Sequence, residues 1–415
     1  MGRMRLNCSL YKLLILMAAA QIQQNGIEAA SFGQDIEFLR KHVKVVVLAD
    51  RTGESQVAVV PAYQGRVMTS TATGVRGRGY GWLNRSLISS GKREPHINIY
   101  GGEDRFWLGP EGGQYSIFFA PGSPFDLEHW FTPPPIDTEP FEVESVTGDK
   151  VVCGRRFAVT NYANTRFEVE VRREVRLVNA NDALADLGVS VPAAVKSVGF
   201  ESVNTVKNAG NADWRPETGL LSIWILGMLN ASAKTTVVIP IRGGSETEYG
   251  PVVNDAYFGR VPPDRLVVRP DVLYFRADAR YRSKIGVGPK RAKSIFGSYN
   301  AAGKVLTLVR FSLPPNADKY VNSMWELQKN PYGGDVVNSY NDGPAKPGAP
   351  GFGNFYELET SSPALALAPG AEARHVHTTI HLHGSEKDLD PIAHATLGVG
   401  LNEIQTAFSR SAAQP

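Results

Sequence analysis

Residues 167–177 read FEVEVRREVRL, and this stretch decides the fold class. Apolar residues stand at every second position except 173, and charged residues fill the positions between them. Because successive side chains of a strand point to opposite faces of a sheet, the alternation predicts a long β-strand. One face of that strand is apolar and the other is polar, as in an antiparallel sheet with one solvent-exposed face.

Further segments of strand length lie on both sides of this stretch. They are apolar runs at residues 45–48, 57–60, 221–226, 237–241, 266–268 and 305–311. Helical periodicity is confined to residues 35–42 and 391–407, and the 41 glycines and 27 prolines indicate many turns. Strands separated by frequent turns favour a sandwich or barrel over a βαβ sheet. The sequence therefore predicts an all-β protein, a large antiparallel β-sandwich.

The N-terminus predicts a signal peptide over residues 1–30. Arg3 and Arg5 precede an apolar run at residues 13–20, which is far shorter than the ~20 residues that span a bilayer. Small residues near positions 20 and 30 offer cleavage sites. We expect a periplasmic or secreted protein whose residues 31–415 form a single domain. No other apolar stretch reaches spanning length, so we expect no membrane contact after cleavage.

Charge and cysteine content narrow the function classes. The formal net charge is +3, and residues 1–30 carry three cationic side chains and one carboxylate. A mature chain near +1 gives no reason to expect a nucleic-acid partner. Cys153 is the only cysteine after residue 30, so no internal disulfide is expected. We interpret it as a half-buried residue of a strand.

Residues 355–360 read FYELET, residues 365–370 read LALAPG and residues 377–379 read HTT. On a strand Glu357 and Glu359 would share one face. Two carboxylates there can be pushed to different pKa values, which suits proton transfer. From spacing alone, a solvent-facing glutamate pair on an edge strand is the preferred explanation.

These three motifs, in this order, resemble the closing segment of aldose 1-epimerases, also called galactose mutarotases. The resemblance implies the galactose mutarotase-like supersandwich, with Glu359 as the catalytic base that takes the proton of the anomeric hydroxyl. In that family an imidazole protonates the ring oxygen. Here Tyr100 and Asn204 stand in the segments that carry the family's histidines. We expect a replacement acid, His377 in our assignment, with His96 as an alternative.

The loop at residues 98–113 contains paired glycines beside aromatic residues. It is similar to the loop that borders the sugar site in mutarotases. We therefore expect Asn98, Arg105, Trp107 and Glu111 to bind substrate, with Asn204 from the middle of the chain. A tight structural loop with core aromatics is the alternative.

The stretch at residues 325–343 is dense in amides, carboxylates and aromatics, as recognition of hydroxyl groups requires. We expect Trp325, Asn338 and Asp342 to contact a sugar. Alternatively, Asp335, Asn338 and Asp342 could be oxygen ligands for Ca²⁺, or the stretch could be a solvated turn. Lys284 shares a strand face with Arg282 and would point at an acidic sugar, or at solvent.

Residues 375, 377, 381 and 383 are histidines on one face of a predicted strand. Four ligands along one straight strand cannot reach a single ion, so a polar strand face is preferred over a metal site. We expect no cofactor and no metal. The resulting hypothesis is an aldose-epimerase-like protein that acts on or binds a carbohydrate. Alternatives are a non-catalytic glycan-binding protein and a polysaccharide lyase for uronic-acid glycans.

Overall fold

A computed structural model describes residues 30–345 and 348–411. Strands hold 38% of the residues and helices 14%, which confirms the predicted all-β class. The predicted signal peptide lies outside the described residues, apart from residue 30. Within the described residues, we find no helix with both the length and the apolar character needed to cross a membrane.

The strands follow one another along the whole described chain. In chain order they are β1 (Val46–Ala49), β2 (Gln56–Val60), β3 (Arg66–Thr71), β4 (Arg105–Gly109), β5 (Glu142–Val146), β6 (Lys150–Thr160), β7 (Arg166–Val178), β8 (Lys196–Asn208), β9 (Ser222–Asn230), β10 (Thr235–Pro240), β11 (Leu266–Val268), β12 (Val272–Arg276), β13 (Ser283–Val287), β14 (Ile295–Asn300), β15 (Val305–Phe311), β16 (Val337–Asn341), β17 (Phe355–Ser361) and β18 (Glu372–His383).

The α-helices are short and lie mainly at the two ends. They are α1 (Phe32–Arg40), α2 (Arg85–Ser90), α3 (Ala180–Leu184), α4 (Glu246–Tyr249), α5 (Glu386–Leu397) and α6 (Leu401–Ser411). Ser31 caps α1 with its side chain, which explains why the helix begins three residues before the predicted one. The single helix predicted at residues 391–407 is two helices, because Gly398 ends α5 in the left-handed conformation.

The strands form three antiparallel sheets. The largest has the order β11-β12-β10-β14-β15-β18-β8-β7-β6-β5, and a second has the order β13-β16-β17-β9-β4. A third sheet contains β1, β2 and β3. The predicted large antiparallel β-sandwich is therefore confirmed, since the five-stranded sheet packs against the ten-stranded one. Leu358 and Ile285 of the smaller sheet share one core with Phe296 and Val309 of the larger.

The amphipathic strand β7 behaves as predicted. Phe167, Val169, Val171 and Val175 are buried, while the glutamates between them are half-buried. Arg173 occupies the one charged position on the apolar face, and it is fully buried in an ion pair with Asp104.

Both faces of β18 are covered. Ile380 and Leu382 pack under α5 and α6 on the outer side of the ten-stranded sheet. His375, His377 and His381 point the other way and are at most 1% exposed. The shared histidine face is therefore a buried layer between the sheets rather than a wet surface.

Candidate active site

The candidate site lies on the face of the five-stranded sheet that points away from the ten-stranded one. Strand β17 places Glu357 and Glu359 on this face and Tyr356 and Leu358 in the core, because alternate residues of a strand point to opposite sides. The neighbouring strand β13 likewise directs Lys284 to the site and Ile285 to the core.

A narrow cleft of about 80 Å³ opens on this face, and we call it the Glu357 cleft. Five of its lining residues are charged, four more are tryptophan or tyrosine, and the remaining seven are apolar. The lining comprises Ile97, Ile99, Arg105, Trp107, Glu111, Trp130, Trp224, Leu226, Met228, Phe258, Arg282, Lys284, Tyr340, Phe352, Phe355 and Glu357. The charged residues comprise three cations, Arg105, Arg282 and Lys284, and two carboxylates, Glu111 and Glu357.

Glu359 lies directly beneath this lining and is fully buried. Its Oε2 accepts hydrogen bonds from Lys284 Nζ at 2.8 Å and from Trp224 Nε1 at 3.0 Å. Its other oxygen, Oε1, has no partner in the protein. Glu359 is thus a carboxylate held by a lysine and an indole, with one oxygen free to accept a proton or a hydrogen bond.

Glu357 lines the cleft two residues before Glu359. Arg105 Nη2 lies 3.4 Å from Glu357 Oε1, and both side chains are almost completely buried. Burial raises the pKa of Glu357 above the usual carboxyl range, and Glu359 adds to this, although Arg105 acts against it. The Arg105 guanidinium also stacks 4.0 Å from the centre of the Trp107 ring.

Lys284 stands between the carboxylates. Burial pulls its pKa down, but Glu359, Glu111 and Glu357 together outweigh burial and raise the pKa above its ordinary value. Burial raises the pKa of Glu111 as well. Lys284 therefore remains an ammonium at neutral pH, beside Glu111 and Glu357, whose pKa values are raised by burial.

A hydrogen-bond chain supports Lys284 from behind. The Tyr257 hydroxyl donates to Asp335 Oδ2 at 2.6 Å, and Asn338 Nδ2 donates to the Tyr257 oxygen at 3.1 Å. The Lys284 ammonium lies 5.4 Å from the Tyr257 ring centre. Gly286 makes this possible, because a Cβ there would lie 2.0 Å from Asp335 Oδ2.

Four of the residues predicted from the sequence meet in the cleft, namely Arg105, Trp107, Glu111 and Lys284. Four more of the predicted residues lie outside the lining. Asn338 belongs to the chain behind Lys284, Trp325 stacks on the outer side of Trp130, Asn98 is turned away towards Asp137, and Asp342 accepts hydrogen bonds from Tyr340 and from the backbone of Gly353.

Asn204 and His377 are not brought to the cleft. Both lie in the layer between the sheets, where Arg173 donates to Asn204 Oδ1 at 2.5 Å. His377 Nδ1 lies 2.9 Å from the hydroxyl of Thr360, which projects from β17 on the side opposite Glu359. Burial lowers the pKa of His377 to about 4, so it is neutral at physiological pH. His377 therefore lies on the side of β17 opposite the cleft and does not line it.

Several lining residues were not selected from the sequence. Trp224 lies within an apolar run that predicts only a buried strand, and Trp130, Phe258 and Phe352 lie in loops without a recognisable pattern. Glu357 was noticed as half of a carboxylate pair but not chosen. The signal that could have found Trp224 is its place on an alternating strand, since Trp224, Leu226 and Met228 all face the cleft.

A larger cavity of about 620 Å³ lies at one end of the sandwich, near α1 and the loop at residues 78–85. Its buried polar side chains already have partners. His381 contacts Glu103 and Thr307, Asp35 pairs with Arg85 and Tyr356 bonds to Ser298. We prefer the Glu357 cleft because unpartnered polar atoms concentrate there.

No cluster of three or more histidine, cysteine, aspartate or glutamate side chains suited to a metal ion occurs in the described part of the chain. The Asp335 and Asn338 side chains predicted as alternative Ca²⁺ ligands are instead bonded to Tyr257.

Comparison with solved structures finds mutarotase-like proteins. The chain is similar to a galactose mutarotase-like protein from Lactobacillus casei ATCC 334, with 11% identity, a TM-score of 0.45 and coverage of 82% of this chain and 100% of that one. A galactose mutarotase related enzyme from Lactobacillus acidophilus matches with 12% identity, a TM-score of 0.44 and coverage of 82% and 98%. A protein of Synechocystis sp. PCC 6803 matches with 11% identity, a TM-score of 0.47 and coverage of 83% and 96%.

The resemblance to galactose mutarotases that the sequence indicates is therefore also found among solved structures. The identities are too low to establish an activity. A comparison with curated proteins found no match. The sequence model of one family matches residues 30–408, and the chain therefore belongs to that family, the family of unknown function DUF6786.

Proposed function

We propose that this protein is carbohydrate-active, that the Glu357 cleft binds a sugar, and that the Glu357–Glu359 pair transfers protons in an aldose-epimerase type of reaction. The observation that carries the proposal is a buried carboxylate pair, one of whose oxygens is unpartnered, beneath a cleft walled by tryptophans. Carboxyl groups in such a setting acquire shifted pKa values suited to proton transfer.

The aromatic walls suit the apolar faces of a sugar ring. Trp107 meets Trp224 edge to face at 5.4 Å between ring centres, and Trp130 lies 6.4 Å from Trp107. The volume of the cleft is smaller than the roughly 300 Å³ of the smallest usual ligand pockets. Phe258 and Phe352, which are 40% and 47% exposed, form its rim. We expect these two side chains to turn outwards when a ring enters.

The proposed reaction moves two protons. A carboxylate takes the proton of the anomeric hydroxyl, the bond between the anomeric carbon and the ring oxygen breaks, and an acid gives a proton to that oxygen. Rotation of the free aldehyde and the reverse steps yield the other anomer. We assign the base to Glu359 through Oε1 and the acid to Glu357, whose pKa is raised by burial. The Lys284 ammonium stabilises the negative charge that develops on oxygen.

The test is anomer exchange, measured by polarimetry and by exchange NMR on the purified protein with a panel of aldoses and uronic acids. We expect Glu359→Gln and Glu357→Gln each to reduce the exchange rate at least a hundredfold, because general acid–base groups typically contribute 10²–10⁴-fold. Glu372→Gln, an exposed position on β18, is the matched control. Exchange that is equally fast in all four proteins would refute both assignments.

A non-catalytic glycan-binding function is the second candidate. One observation favours it: no histidine occurs among the residues that line the cleft, although an imidazole acid belongs to the family mechanism. In the same spectra this candidate predicts saturable ligand shifts without any acceleration of anomer exchange. Accelerated exchange in the wild-type protein would exclude it.

We also propose export. The basic start and short apolar run of residues 1–30 support a cleaved leader. Mass spectrometry of the protein recovered from its native cells gives the test. A mature N-terminus near residue 21 or 31 is expected, whereas a protein that retains residues 1–30 would contradict the proposal.

A further inference from the structure

In the Glu357 cleft, hydrogen-bond donors without a partner greatly outnumber acceptors without a partner. Five buried nitrogen donors on lining residues have no acceptor in the protein. They are Arg105 Nε, Arg105 Nη1, Trp107 Nε1, Trp130 Nε1 and Arg282 Nε. On the acceptor side, Glu359 Oε1 at the floor is the unpartnered oxygen.

Such an excess of donors has a cost in the free protein. A buried donor without an acceptor destabilises the folded state by roughly 1–3 kcal/mol, and native proteins leave few of them. Because the five donors surround one cleft, a single ligand could supply acceptors to several of them. That ligand must be rich in oxygen acceptors.

Charge points to the same kind of ligand. Arg105 and Arg282 line the cleft with Lys284, and Lys284 is already neutralised by Glu359. Arg105 reaches a carboxylate only through Nη2, 3.4 Å from Glu357 Oε1, and Arg282 forms no ion pair with any side chain in the described part of the protein. An anionic group on the ligand would therefore give both guanidinium groups a charged acceptor.

Both guanidinium groups are held in place by aromatic rings. Arg105 stacks on Trp107, and the Arg282 guanidinium carbon lies 4.1 Å from the Phe258 ring centre and 5.9 Å from that of Phe352. A planar guanidinium whose orientation is fixed by stacking loses little entropy when it binds a carboxylate. One arginine lies deep in the cleft and the other at its rim.

We propose that the ligand of the Glu357 cleft is a sugar acid, whose carboxylate is bound by Arg105 and Arg282 while its hydroxyls accept from the indoles of Trp107 and Trp130. The inference rests on the proposed carbohydrate function and names its substrate class.

The test compares matched ligands by calorimetry and by ligand-observed NMR on the purified protein. The probes are glucuronate and galacturonate, their neutral methyl esters, glucose and galactose, and glucose 6-phosphate. We expect a uronate to bind at least tenfold more tightly than its methyl ester and the corresponding hexose, with affinity that falls as salt is raised. Arg282→Gln should reduce the preference for the uronate over the corresponding hexose at least fivefold.

Arg215→Gln is the matched control, since Arg215 is exposed and pairs with Asp213 on a loop outside the cleft lining. Thermal unfolding of each variant checks that it folds. Equal affinity for uronates and hexoses would overturn the sugar-acid assignment and leave the carbohydrate function standing. Binding of glucose 6-phosphate in preference to uronates would overturn the choice of carboxylate. Failure of every sugar to bind would overturn both proposals.

Discussion

The buried Lys284–Glu359 pair makes a quantitative prediction. Its two charges lie 2.8 Å apart with side-chain exposures of 8% and 0%. With an effective dielectric constant of 20, their attraction is about 6 kcal/mol, part of which offsets the loss of hydration. We therefore expect a coupling energy of about 3–6 kcal/mol between Lys284→Met and Glu359→Gln in a double-mutant cycle.

The two single variants should differ. Lys284→Met leaves Glu359 buried with only the Trp224 indole as a donor, so we expect it to lower the free energy of unfolding by about 3–5 kcal/mol. Glu359→Gln should cost less, because Glu111 and Glu357 still offset the ammonium of Lys284. The double variant should be less destabilised than the sum of the two.

Urea unfolding at pH 7 gives these free energies, and a constant m-value shows that the same surface is exposed in each variant. The exposed pair Lys41–Glu37 is the control, and the corresponding cycle there should show no measurable coupling. A coupling below about 1 kcal/mol for the buried pair would refute the reasoning, since it would mean that water already screens the two charges.

Three further predictions concern titration. Burial raises the pKa of Cys153 to about 11. Iodoacetamide at pH 8 should therefore leave Cys153 unmodified in the folded protein and alkylate it after unfolding. Mass spectrometry of the peptide that contains Cys153 measures the modification. Burial raises the pKa of Glu357, so the native state keeps a proton that the unfolded chain releases at lower pH. Unfolding measured at pH 5 and 8 should therefore show Glu357→Gln gaining stability relative to wild type as pH rises, and a constant difference would contradict this. Burial lowers the pKa of His377 to about 4, so its neutral form stabilises the protein above pH 6.5 and this contribution falls on acidification. His377→Gln should then lose about 2 kcal/mol less than wild type between pH 7.5 and 5, and equal losses would show that His377 is protonated in the native state.

The fold class could be predicted from the local alternation of apolar and polar residues, because this alternation shows which side of each strand is apolar. Residues 167–177 predicted a strand, and the structure has one at Arg166–Val178. The pattern could not show which face of β18 is buried, since a sheet covers one side and helices the other. The histidines of β18 therefore share a face, as predicted, but none reaches the cleft, and His375, His377 and His381 are buried.

The candidate site was harder to predict because it is assembled from strands far apart in the chain. Lys284 and Glu357 meet because β13 and β17 both pair with β16, and no local pattern specifies that order. Arg105 reaches Glu357 through the pairing of β4 with β9 and of β9 with β17. The closing motif identified the carboxylate pair in the sequence. Only the strand register shows that Trp224 lies beside this pair.

The position of β18 has a consequence for biosynthesis. This strand pairs with β15 on one side and with β8 on the other, so it joins the two halves of the ten-stranded sheet. It is also the final strand that the described chain contributes to any sheet. During translation both halves would keep an open edge until residue 383 has emerged, and such edges pair readily with other chains. A message broken before this point would therefore encode two unjoined half-sheets, so residues up to 383 must be synthesised before the ten-stranded sheet can close.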